Sequence, residues 1–173
     1  MMHLDKYYFI DKFEPNHIKK LDKNISLIYR NYKSPLDLNL IRKIRDFCKK
    51  NKIKFFLSNN IKVALKLGLD GAYIPSFNKS LTHLSYCMKN KFILIGSAHN
   101  LYEIRIKEKQ NVSLFFVSSL FKKYEKYLGL YKFINLSKFT KRKIVALGGI
   151  NKNNLKKLSM LRIQGFAAIR FFE

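Results

Sequence analysis

Eight short apolar runs recur along the 173-residue chain, and four of them close on small polar signatures: LSNN at 57–60, DGAYIP at 70–75, GSAHN at 96–100 and ALGGIN at 146–151. The runs are YYFID (7–11), ISLIYR (25–30), IKFFLS (53–58), GAYIP (71–75), FILIGS (92–97), VSLFFVSS (112–119), KIVALGG (143–149) and GFAAIRFF (165–172). Continuous apolar runs rich in β-branched and aromatic residues suit parallel strands buried on both faces. Parallel neighbours need crossover connections, and helical patterns lie between the runs. The alternation predicts an α/β chain closed into a compact (β/α)8 TIM barrel, with its ligand site among the polar residues after the strands.

Helix signals punctuate the connections. Ser34-Pro35, with Asp37 three residues after the serine, offers a cap before the apolar face of Leu40, Ile41, Ile44, Phe47 and Cys48. Asn100 and Glu103 repeat the cap-and-acid spacing, Asn151 precedes Leu155, Leu158 and Leu161, and Gly68 is placed to end a helix over 61–67. Residues 12–24 leave room for a short first helix only, and no eighth helix follows the last run. The absence of both would bare one flank of the barrel near Phe171 and Phe172, which predicts a homodimer through that flank.

Composition narrows the function. No linker or composition break divides the chain, so residues 1–173 read as a single domain. Thirty-five Lys and Arg against eleven Asp and Glu give a net charge of +24, which suits a small phosphorylated ligand. The basic residues are spread out and sit in no nucleic-acid motif, so nucleic acid is not the expected partner. Cys48 and Cys87 lie apart in helix-like segments and read as reduced thiols of a cytoplasmic protein. Neither a secretory leader nor a membrane span is expected. His3, His17 and His83 read as surface residues.

Read in order, YYFID, YRNYK, LSNN, DGAYIPSFN, GSAHN, VSSLFKKYEK, ALGGI and QGFAAIRFF resemble the strand-end motifs LYLITD, QLREK, LINDR, DGVHLGQED, GVSAHT, VGPIFPTxTK, AIGGI and DGVAVVSAI of the thiamine phosphate synthase/TenI family. The resemblance runs from Tyr7 to Phe172. It implies thiamine biosynthesis, with phosphorylated pyrimidine and thiazole precursors bound at the C-terminal mouth of the barrel. Synthases of the family join hydroxymethylpyrimidine diphosphate to a thiazole phosphate and release pyrophosphate, with Mg²⁺ on the departing group. TenI-like members isomerise a thiazole phosphate without metal, using a histidine that matches His99.

The resemblance also implies a site, and this chain departs from it. The metal-binding aspartates fall on Asn60 and Asn78, both amides, leaving Asp11 as the carboxylate among the matched strand ends. Magnesium prefers anionic oxygens, so the site is weak or lost. Of the phosphate loop, Lys126 matches the family lysine, while Lys123 and Glu125 replace threonines. In strand 2 the ungapped match puts Tyr29, Asn31 and Lys33 on the family Gln, Arg and Lys; a shift by one makes Arg30 the arginine instead. Asn59, Ser97, Gly148, Gly149 and Arg170 complete the binding candidates. The glycine pair serves either a tight turn or a phosphate approach. His99 serves either to cap or, with Lys126, to catalyse. Three readings follow: a synthase with lysines replacing part of the metal's charge, a TenI-like isomerase, or a non-catalytic anion-binding or regulatory descendant.

Overall fold

The computed structural model describes residues 4–22 and 24–173. Eight parallel strands close into one barrel, β1 to β8 in chain order. They are β1 (Asp5–Ile10), β2 (Ile25–Tyr29), β3 (Lys54–Ser58), β4 (Gly71–Ile74), β5 (Ile93–Ala98), β6 (Leu114–Val117), β7 (Lys143–Leu147) and β8 (Gly165–Ala168). Each lies within or overlaps the apolar run that predicts it. β8 pairs back on β1, with Tyr7 opposite Ala167, and closes the ring.

Two apolar layers follow from the period of two along each strand. Tyr7, Phe9, Ile28, Phe56, Tyr73, Ile95, Phe116 and Val145 fill the barrel interior. Their strand neighbours, such as Tyr8, Leu27, Phe55 and Phe115, pack outward against the helices. The interior is an aromatic cluster, with Phe116 meeting Tyr7 and Phe9 edge-on and Tyr73 at a tilt, at ring separations of 5.0, 6.0 and 5.7 Å. This packed floor leaves the open mouth as the place for a ligand.

The helical ring is reduced. It holds α1 (Pro15–Ile18), α2 (Leu38–Lys50), α3 (Ile61–Lys66), α4 (Leu101–Lys109) and α5 (Gly129–Ser137), with 3₁₀ turns over Thr82–Ser85 and Leu155–Met160. The short first helix is as expected, and Gly68, with φ of +62°, follows α3. α2 differs at its start: Asp37, not Ser34, caps it, its carboxylate accepting the N–H groups of Asn39 and Leu40 at 2.8 and 3.1 Å. A carboxylate there also meets the positive end of the helix. Asn151 does accept the N–H groups of Asn153 and Asn154, but the element it introduces is 3₁₀ rather than α.

The bare flank expected beside β8 is partly covered. The last run is a strand only to Ala168; Ile169–Phe172 turns back, with the Phe172 N–H donating to the Ile169 carbonyl. Phe172 is buried against Tyr8 and stacks on Phe166, and Ile18 of α1 is buried in the same layer. The flank on which the expected dimer rested is thus partly covered by the chain's own residues, with Ile169 exposed beside it. Cys48 is buried in α2, whereas Cys87 is exposed and lies outside any helix. His83 is buried rather than on the surface, with Nε2 at 2.8 Å from the Gln110 carbonyl oxygen, and the Nε2 of His17 is likewise shielded. His3 lies outside the described residues. Among the described residues no helix is long and apolar enough to cross a membrane.

Candidate functional site at the barrel mouth

Continuing the inward alternation past the strand ends gives the walls of the mouth. Ile28 leads to Arg30, Ile95 to Ser97 and His99, Phe116 to Ser118, and Val145 to Leu147. These residues, with Tyr32, Tyr73, Phe77, Lys122 and Gly148, line a cavity of about 320 Å³. Arg30 therefore holds the inward position on strand 2, its guanidinium 4.7 Å from the centre of the Phe9 ring. Tyr29 points the other way, into the layer under the helices, and lines neither cavity at this end. Arg30, the arginine of the shifted match, thus faces the mouth, while Asn31 and Lys33 of the ungapped match line the neighbouring chamber.

A second cavity, of about 720 Å³, opens beside the first above β1 and β2. Arg30 and Tyr32 belong to both, and Asp11, Asn31, Lys33 and His17 line the larger one. The predicted residues thus divide. Arg30, Ser97, His99 and Gly148 share the mouth, and Asp11 and Lys33 occupy the neighbouring chamber. Lys123, Lys126 and Arg170 are exposed and line neither, though Lys126 is near enough for its charge to act on Glu103. Gly149 packs against the backbone of Lys122.

Glu103 holds His99. Its Oε2 accepts the His99 backbone N–H at 2.7 Å and lies 2.8 Å from Nδ1. Burial pushes the Glu103 carboxyl up, but the bonds from the His99 ring and backbone and the Lys126 charge more than offset it, so the net shift is downward. Asn100 caps α4 by accepting the Glu103 N–H. One turn further, Lys107 is fully buried and donates to the Asn78 carbonyl at 2.6 Å and to Gln110 Oε1 at 2.8 Å. Burial pulls its ammonium down to about 8. Gln110 also donates to the carbonyls of Asn78 and Ser80. α4 thereby fastens both the histidine and the loop after β4.

The metal positions are spoken for. Asn60 caps α3 through Oδ1, accepting the Val63 N–H at 3.2 Å. Asn78 donates from its amide to Asn59 Oδ1 at 2.7 Å and accepts the Ser80 N–H. An amide N–H of Asn78 is thus directed at Asn59, the chain neighbour of Asn60. Asp11 stands in the other chamber, and the described residues hold no cluster of three His, Cys, Asp or Glu able to bind a metal. This donor set does not fit Mg²⁺, which favours hard anionic oxygens.

Tyr32, Tyr73, Phe77 and Lys122 escaped sequence reasoning. Tyr32 bonds Ser58 at 2.6 Å and meets Phe77 edge-on at 5.6 Å, forming an aromatic wall. Burial pushes the Tyr73 phenol up to about 12, so it stays a neutral hydroxyl beside Ser97. The inward period could have found Tyr32, two residues beyond Arg30.

Comparison with known proteins places the fold in a family. The family model described as thiamine monophosphate synthase matches residues 22–172. The chain belongs to the thiamine monophosphate synthase family. The thiamine-phosphate synthase of Pelagibacter ubique (strain HTCC1062) is 30% identical over 157 residues, covering 85% of this chain and 74% of that one. The synthase of Methanococcus vannielii is 27% identical over 132 residues, covering 74% and 64%. Among solved structures, thiamine phosphate pyrophosphorylase from Pyrococcus furiosus superposes with a TM-score of 0.77 at 21% identity, covering 96% of this chain and 85% of that one. FabK from Thermotoga maritima, at 0.75 and 12%, shares the barrel alone.

Proposed function

We propose that this family member makes thiamine phosphate at the mouth, binding the diphosphate of the pyrimidine precursor with fixed cationic side chains. The observation that carries the reading is Arg30: it stands where both cavities meet, so one guanidinium reaches ligands in either. Its planar fork suits a phosphoryl group better than a point charge would. Lys122 adds charge on the opposite rim, with Lys33 in the larger chamber.

The chemistry asks for little covalent help. The C–O bond between the pyrimidine methylene and its diphosphate breaks, the thiazole nitrogen bonds that carbon, and pyrophosphate departs. The protein's task is to hold negative charge as it develops on the leaving oxygen. Arg30 and Lys122 do so as preset donors, while Tyr32 and Phe77 offer edges and faces for a flat heterocycle. The free Cys48 and Cys87 support a reducing, cytoplasmic setting.

The test is formation of thiamine phosphate from the two phosphorylated precursors, with Mg²⁺ and with excess chelator. Product is expected in both, at rates within a few-fold of each other, and Arg30→Ala is expected to lower kcat/KM by about 100-fold, or ~2.7 kcal/mol. Folded protein that forms no product under either condition would refute the reading.

A further inference from the structure

Glu103 does more at the mouth than begin a helix. A first-turn acid in a capping box reaches back to the N–H of its own cap residue. Here Glu103 reaches one residue further, to His99, and the same oxygen takes both the backbone N–H and the ring. Both side chains are largely shielded, at 14% and 15% exposure, so water competes weakly for these bonds. An ionised carboxylate only accepts hydrogen bonds, so the Nδ1 facing it must carry the proton. Nε2 is then the ring nitrogen left for the cavity that His99 lines.

We propose that Glu103 is a positioning residue that locks His99 in the Nδ1–H form and presents Nε2 to a phosphorylated ligand in the mouth. The proposal rests on the reading of that mouth as a phosphate-ester site. With the ring protonated, Nε2–H donates to a phosphate oxygen of the bound diphosphate. As the C–O bond breaks, its electron pair stays on the oxygen and the Nε2 proton passes to it. A neutral imidazole remains, still bonded through Nδ1–H to Glu103, and solvent later returns the proton. The hydrogen bond at one ring nitrogen thus decides which proton the other can offer. Such a positioned acid contributes on the order of 100-fold or more to rate.

Long-range proton–nitrogen NMR reads the tautomer directly, with the His99 signals assigned by their loss in His99→Gln. The neutral ring is expected to carry its proton on Nδ1; a proton on Nε2 in the unmutated protein overturns the proposal, whatever the activity. Glu103→Ala should move the proton to Nε2 and lower kcat at least 10-fold, with KM changed less than about threefold. Glu103→Gln, whose amide oxygen can still accept, should restore the Nδ1–H form and most of kcat. An unchanged tautomer and kcat in Glu103→Ala would overturn the assignment. Protein that shows the Nδ1–H form and its loss in Glu103→Ala, yet makes no thiamine phosphate, keeps the positioning role and refutes the synthase reading instead.

Discussion

Gly148 shows how little room the mouth has at single residues. Its φ of +103° is one that side-chain-bearing residues rarely adopt, and a Cβ there would sit 2.9 Å from the Ser119 Cα and overlap the Ser119 hydroxyl. The Gly148 carbonyl accepts the N–H groups of Phe121 and Lys122 at 2.8 and 3.3 Å, so this glycine seats the loop that brings Lys122 to the rim. Beside the two roles that the sequence leaves open, a tight turn or a phosphate approach, the structure gives this glycine a close contact with the loop after β6. Gly148→Ala is therefore expected to cost roughly 2–4 kcal/mol, from strain plus overpacking. Urea denaturation measures it, and a cost below ~1 kcal/mol would mean that the two loops part easily. His99 illustrates a different limit: the sequence presents Glu103 only as the acid of the Asn100 cap, and its reach back to the His99 N–H and ring is given by the structure alone.

At the scale of elements, α4 acts as a clamp. Its Lys107 and the Gln110 that follows its last residue hold the carbonyls of Asn78 and Ser80, and His83 from the same connection bonds the Gln110 carbonyl. Lys107→Met keeps the apolar stem but removes the charged donor, a loss of the kind that costs about 1–3 kcal/mol. The effect should be local: amide exchange at Ser80 is expected to quicken at least tenfold, while Ile95 in β5 stays protected. Equal loosening of both would mean that the clamp supports the whole barrel. Elements were legible wherever one physical signal dominated. Strands buried on both faces show as unbroken apolar runs, and all eight were found. The turn after Ala168 was missed because Ile169, Phe171 and Phe172 have strand-like composition while serving as cover. Leu155, Leu158 and Leu161 recur at a strict three, the period of the 3₁₀ turn that holds the first two and ends before Leu161, rather than that of an α-helix face. The mouth was legible as strand-end motifs, whereas Lys107 was hidden because a buried lysine looks like any other in a lysine-rich chain.

The whole molecule must close a ring while carrying a net charge of +24, which opposes compaction. Closure rests on β1 meeting β8, where Gly165 lets the backbone of Asp5 approach and Gln164 donates to the Asp5 carboxylate at 3.1 Å. Outside that seam the layer around Tyr8 is covered by Phe172, whose ring lies 5.2 Å from Tyr8 and stacks on Phe166 at 6.0 Å. Phe171 packs at the edge of the same group and is more exposed. The two neighbouring phenylalanines thus separate two possibilities, a generic greasy segment or a specific plug. A plug predicts that Phe172→Ala lowers stability by roughly 3 kcal/mol and Phe171→Ala by less than half of that. It also predicts that uncovering Tyr8 makes the Phe172→Ala protein self-associate, seen as a rise in mass by light scattering relative to Phe171→Ala. Equal costs for the two, with no change in mass, would show that the seam closes without help from the turn after β8.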